Sequence, residues 1–251
     1  MSLLTVAIAA VGFLTAALSG VAGLGGGTIL IGVLYALGLA PTVAVPLFAA
    51  VQFVSNLSRT VAYFKHVEWR AAGWFALTGV PAPFLIAPFV AEANVHIILL
   101  LLAGLILVSL IPSPKGRDPI PATPAFLLAG FLNGSIGMFV GATGLFVGRL
   151  FLRPEWSKEK VIGTLALCQT LGHLLKVLGY ASVGFLISER LDLLWPLVIA
   201  VIAGTAAGRA LNRYLNETNF RWLFTGILIV LSIKLIWDGL SGLGVIAWIT
   251  N

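Results

Sequence analysis

Charge is the scarcest property of this sequence. Only 10% of its 251 residues are Asp, Glu, Lys or Arg, and none occurs before Arg59, whereas about a quarter of a soluble domain is charged. Further uncharged runs cover 71–91, 93–114, 119–148, 193–208 and 239–251, which excludes an ordinary water-solvated surface. Cysteine is nearly missing too. The single Cys168 excludes an intramolecular disulfide and every multi-cysteine metal framework. The start lacks the basic residues of a secretory signal, so the first apolar segment is read as retained. Walker A, HExxH and GxSxG sequences are absent, and His66 and His96 fall in loops on opposite predicted faces. No ATPase machinery, catalytic dyad, cofactor site or metal cluster is therefore expected.

What is present is apolar: 59% of the residues are hydrophobic, and several uncharged runs exceed the roughly 20 residues that span a bilayer. Lipid cannot satisfy free backbone groups, and the period-two alternation of a spanning strand is missing, so the segments must be helices. They are predicted near 2–20, 24–38, 42–64, 70–90, 95–111, 123–138, 141–152, 160–182, 192–214 and 220–246. The polar, proline-rich stretch 112–121 is the one linker-like interval. It divides the chain into an N-terminal unit, 1–111, and a C-terminal unit, 122–251.

The two units repeat each other. Leu18-Ser-Gly20-Val-Ala-Gly23 matches Leu132-Asn-Gly134-Ser-Ile-Gly137. Gln52, Asn56, Arg59 and Tyr63 match Gln169, His173, Lys176 and Tyr180 at a constant offset of 117, and Glu92-Ala-Asn94 matches Glu217-Thr-Asn219 at an offset of 125. With five segments per unit, 11 cations from Lys65 to Arg221 collect in the loops of one face, and the other face keeps Arg190 beside Glu92, Glu189 and Asp192. The cationic face is the cytoplasmic one by the positive-inside rule, which puts both termini outside. An odd number of crossings per unit makes the repeats inverted. The expected fold is therefore an all-α polytopic membrane protein of two inverted repeats of about five segments, the first two of each forming a glycine-broken hairpin. Phe and Trp near segment ends, including Trp69, Trp74, Trp156 and Trp195, are expected to anchor at the interface.

Gly20-x-x-Gly23-x-Gly25-Gly26-Gly27-Thr28 interrupts the first hairpin, and Gly134-x-x-Gly137-x-x-x-Gly141-Ala-Thr143-Gly144 its counterpart. Consecutive glycines weaken a helix by about 1 kcal/mol each relative to alanine. A break at membrane depth is tolerated where it is packed in protein or faces an aqueous cavity. A new helix starting at Thr28 or Gly144 would point free N–H groups, suited to an anion, at that cavity. The same glycines also suit close helix packing. With these motifs, the apolar repeat and its length, nearly the whole chain resembles the sulfite exporter TauE/SafE family of membrane permeases. The resemblance implies a carrier in the bacterial inner membrane for sulfite, sulfoacetate or a related organosulfonate, most readily an exporter. It carries over the glycine motifs alone: Gly20, Gly23, Gly25 to Gly27, Gly134, Gly137, Gly141 and Gly144.

The offset-117 residues are spaced i, i+4, i+7, i+11, one stripe of a helix. Amides and cations within a spanning helix face an internal cavity by default. Gln52, Asn56 and Arg59, with Gln169, His173 and Lys176, are thus the candidate substrate-binding residues, joined by Gly25, Gly26, Gly27, Thr28, Gly141, Thr143 and Gly144. Gly20, Gly23, Gly134 and Gly137 are candidate structural glycines. Arg59 is expected toward the cytoplasm and Lys176 toward the exterior, so that an anion meets one cation from either side. The competing reading has both cations snorkelling to headgroups and the amides bonding between helices. His173 is either a proton relay or a buried, hydrogen-bonded histidine. Lys234 and Asp238, at i and i+4, should neutralise each other. The expected partners are a small anion, the lipid bilayer and a coupling ion, proton or sodium, with a homodimer left open and nucleic acid excluded. A non-transporting receptor or scaffold, or an intramembrane enzyme, is the alternative class.

Overall fold

The computed structural model describes residues 3–22, 26–111, 120–212 and 217–245. All regular structure in them is helical. The first half contains α1 (Leu3–Ala22), α2 (Gly26–Ala36), α3 (Pro41–Ala62), α4 (Trp69–Gly79), α5 (Pro81–Val90) and α6 (Val95–Leu110). The second contains α7 (Ala122–Gly134), α8 (Ile136–Val140), α9 (Gly144–Val147), α10 (Lys158–Ser182), α11 (Leu191–Asn212) and α12 (Glu217–Gly242). Among the described residues six stretches are long and apolar enough to cross a membrane: Pro41–Ala62, Trp69–Val90, Ala122–Val140, Lys158–Ser182, Ile187–Gly208 and Trp222–Gly242. The protein is a multi-pass membrane protein.

Local chemistry accounts for several boundaries. Pro41 opens α3, where a missing N–H costs nothing. Asn94 caps α6 by accepting from the His96 N–H at 2.9 Å, and Ser157 caps α10 by accepting from the Lys160 N–H at 3.2 Å. The expected segment 70–90 divides at Val80, ahead of Pro81, into two helices that still make one span. The largest departure from expectation is at 141–152. Gly141 sits at φ +73°, a backbone that favours glycine. Only a four-residue helix, α9, and a single 3-10 turn, Gly148–Phe151, follow it. In the first half, α2 has 11 residues, about 16 Å at 1.5 Å per residue. Neither second arm covers the roughly 30 Å of hydrocarbon. The linker expected at 112–121 lies, apart from its last two residues, outside the described residues. The same holds for Gly23 and Gly25, and for Lys115, Arg117 and Arg213 of the expected cationic face.

Four helix pairs dominate the packing: α1 with α11, α3 with α10, α4 with α7, and α6 with α12. Residue contacts give their directions. Gly204 and Gly208 lie against the backbones of Phe13 and Ala17, so α1 and α11 run the same way. Gly130 lies against the backbone of Phe75 and Gly134 against that of Gly79, so α4 and α7 also run the same way. Phe48 meets His173 and Thr60 meets Thr170, which makes α3 and α10 antiparallel. Gly242 abuts His96 and Gly239 abuts Leu100, which makes α6 and α12 antiparallel.

Apolar side chains are distributed on both sides of this bundle. Leu34, Leu47, Leu102, Leu197 and Leu235 are fully buried inside it, whereas Leu85, Ile199, Val230 and Ile233 each expose more than 60% of their surface. An outer face of that kind is stable in lipid, not in water. Trp69 and Trp195 are exposed, as interfacial anchors would be, but Trp156 stacks on Phe126 with centroids 5.5 Å apart. Lys234 donates to Asp238, as its spacing predicts.

Candidate functional site

The third segment of each half supplies the walls of a central cavity. Helix α3 contributes Phe48, Gln52, Asn56 and Arg59, and α10 contributes Leu165, Gln169 and His173. These positions recur at three or four residues, so each set lies on one helical face, and the antiparallel pairing turns the two faces toward each other. The glycine motifs supply the rest of the lining: Gly27 and Thr28 at the start of α2, and Ala142, Thr143, Gly144 and Leu145 after the Gly141 turn. The cavity volume is about 70 Å³. One water needs roughly 10–15 Å³ of such space, so a few waters or one small oxyanion fit.

The polar groups of the wall are mostly donors or adaptable amides. Gln169 Nε2 and His173 Nδ1 are buried without a hydrogen-bond partner, a cost of about 1–3 kcal/mol each unless a ligand or water completes them. His173 meets Phe48 edge-on, with ring centroids 5.4 Å apart. Asn56 Nδ2 donates to Gln52 O at 2.9 Å, which keeps that amide along its own helix. Gln52 lies so close to Gly27 that a Cβ at position 27 would strike its amide nitrogen. Helices α2, α3, α5, α7, α8 and α9 contain no Asp or Glu, and α10 has only Glu159, in its first turn. Among the described residues Arg59 is thus the charged residue of the lining, and none of the other lining residues is a carboxylate.

Of the residues singled out in the sequence, Gln52, Asn56, Arg59, Gln169, His173, Gly27, Thr28, Thr143 and Gly144 come together here. Gly26 is buried in the first turn of α2, and Gly141 packs on Ile31 and Phe48, both without lining the cavity. Gly20 lies in the last turn of α1. Gly134 packs on Ala82 and Pro83 across the α5–α7 contact, and Gly137 lies beneath the Lys176 side chain. Lys176 itself does not reach the lining. It is fully buried and donates to Asn133 Oδ1 at 2.9 Å. That oxygen also accepts from the Thr143 hydroxyl at 2.8 Å. Tyr180 is buried and donates to Met138 O at 2.6 Å, whereas Tyr63 is half-buried at the end of α3.

Sequence reasoning did not single out Asn133, nor the apolar walls Phe48, Leu145 and Leu165. A signal for Asn133 existed: it is the polar residue at the centre of Leu132-Asn-Gly134, inside a run that is uncharged from 119 to 148. An amide there has to find partners within the protein.

The chain matches the sequence model of a family described as Sulfite exporter TauE/SafE over residues 8–235. It therefore belongs to that family, whose members are membrane transporters of sulfur anions and not enzymes. No curated protein and no solved structure matches it.

Proposed function

We propose that this TauE/SafE family member is a secondary carrier that binds a small sulfur-containing anion in the α3–α10 cavity and exports it by alternating access. Sulfite, sulfoacetate or a related organosulfonate is the cargo. The observation that carries the reading is the composition of the cavity among the described residues: one arginine, three amides and a histidine whose Nδ1 has no partner, with no carboxylate to repel an anion. A guanidinium can hold two oxygens of an oxyanion at once, and the amides supply further donors.

The carrier mechanism rests on two inverted halves, 1–111 and 122–251, rocking about the cavity. Helix directions support it. A two-fold axis in the membrane plane that exchanges the halves sends α3 to α10 and α6 to α12, and each such pair must be antiparallel, as both are. It sends the α1–α11 pair to the α4–α7 pair, which must then share one relative direction, and both run parallel. In this reading the protein sits in a bacterial inner membrane with both termini outside, and a proton or sodium gradient drives the flux.

Proteoliposome transport tests it. Saturable flux of labelled sulfite or sulfoacetate, abolished by Arg59→Ala, is the expected result, with proton and sodium gradients imposed in turn to identify the coupling. Binding without flux would mark a receptor, and flux indifferent to Arg59→Ala would move the site elsewhere.

A further inference from the structure

Lys176 is fully buried in the middle of the bundle, and no carboxylate is on any helix around it. The three salt bridges among the described residues are Lys160 with Glu68, Arg190 with Asp192, and Lys234 with Asp238. Glu159, the one acid of α10, is 17 residues away, about 25 Å along the helix. The other ionisable groups of α10 and the helices around it are Lys158, Lys160, Cys168, His173 and Tyr180 on α10, Arg59 on α3, Arg70 on α4 and Tyr35 on α2. Tyr180 is committed to Met138 O, and the Tyr35 hydroxyl to Phe139 O. None of these supplies a negative charge.

A lysine buried without a carboxylate holds its proton only where a counter-charge is near, because the low dielectric around it neither solvates nor screens the ammonium. The nearest route outward is a two-bond chain: Lys176 Nζ to Asn133 Oδ1, and Asn133 Oδ1 to Thr143 Oγ1, whose residue borders the cavity. Asn133 is 1% exposed, and its nitrogen has no partner and presses on Gly172. Its oxygen therefore holds two donors from different elements, Lys176 on α10 and Thr143 in the turn before α9. That placement fixes the ammonium one residue behind the cavity wall.

We propose that Asn133 is a positioning residue of the anion site, holding Lys176 behind Thr143 as a second, remote cation whose counter-charge is the bound anion. The proposal rests on the cavity being the anion site, and it extends that site to a residue on α7. Lys176 acts through its field and does not touch the anion. Because the interaction runs through protein and not through water, it is weakly screened and survives physiological salt.

Titration calorimetry of purified protein with sulfite, and separately with sulfoacetate, tests it alongside thermal unfolding without anion. Lys176→Met should weaken binding about tenfold, and Lys176→Arg should retain affinity within a few-fold. Asn133→Asp is the decisive variant, since it keeps the shape and gives Lys176 a permanent counter-charge. It should weaken anion binding by about tenfold while raising the unfolding temperature. If Lys176 and Asn133 merely tied α7 to α10, affinity and stability would move together or affinity would not move, and either outcome overturns the proposal. Arg59→Ala separates the two levels. Binding lost there but intact in Asn133→Asp removes the remote cation alone, whereas binding intact in Arg59→Ala removes the cavity reading on which it depends.

Discussion

Arg59 of α3 and Lys176 of α10 stand at matching places in two polar stripes of identical spacing, yet Arg59 borders the cavity and Lys176 lies one layer behind it. The neighbours make the difference. Helix α10 packs against α3, α4, α5 and α7, so its stripe is enclosed on several sides. Lys176 there meets an amide oxygen and stays. Arg59 lies two turns beyond Gln52, where the stripe of α3 still faces the open space. Periodicity sets which face of a helix a side chain occupies; the surrounding helices set how deep that face lies and what it meets.

The largest effect should come from removing the two cations in turn. Arg59→Ala is expected to abolish measurable anion binding, a loss of a hundredfold or more, against about tenfold for Lys176→Met. Titration calorimetry checks the ratio, and equal losses would mean that both cations contact the anion and that the asymmetry closes during transport.

Next in size is a pair of glycine substitutions, one on each side. A Cβ at Gly172 would strike the Asn133 amide, and a Cβ at Gly27 would strike the Gln52 amide. Asn133 is held by two hydrogen bonds, so Gly172→Ala should cost about 1–3 kcal/mol of stability, read from unfolding in detergent. Gln52 has a longer, freer side chain, and Gly27→Ala should cost under about 1 kcal/mol while still weakening binding. If the two variants are equally stable, the α10 side is no more tightly tied than the α3 side.

Gln169 sharpens the comparison from another direction. Its Nε2 is buried and has no hydrogen-bond partner within the protein. Gln169→Leu removes that unmet donor, so it should leave the unfolding temperature of the free protein unchanged or higher and weaken anion binding by about tenfold. A variant that loses stability and keeps its affinity would show that this amide serves packing.

The smallest effect should be at Glu68 and Lys160, where the loop after α3 meets the start of α10 at 2.9 Å. Both side chains are more than a third exposed, at 35% and 39%, and such pairs contribute about 1 kcal/mol or less. Glu68→Gln should therefore lower stability by less than about 1 kcal/mol at low salt, and by nothing measurable at high salt. A larger loss would make this contact a structural latch between α3 and α10 and not a surface pair.

Much of the architecture was legible in the chain because it depends on local properties. Uncharged runs of about twenty residues must be helical in lipid whatever surrounds them, and nine of the ten expected segments contain substantial helix at the expected places. In the exception, 141–152, the glycine motif marked the break and the restart at Gly144, but apolarity alone did not show that the restarted helix ends at Val147. The gathering of Gln52, Asn56, Arg59, Gln169 and His173 was legible as well, since a repeated polar stripe in an apolar helix has to face inward.

Tertiary structure alone decided the rest. That Lys176 is bonded to Asn133, 43 positions away in sequence, and that Asn133 joins it to Thr143, depends on which helices meet and in which direction. So does the unpartnered state of Gln169 Nε2. Hydrophobic pattern and spacing are written residue by residue along the chain, but depth, partners and the reach of a buried charge arise only where distant segments pack together.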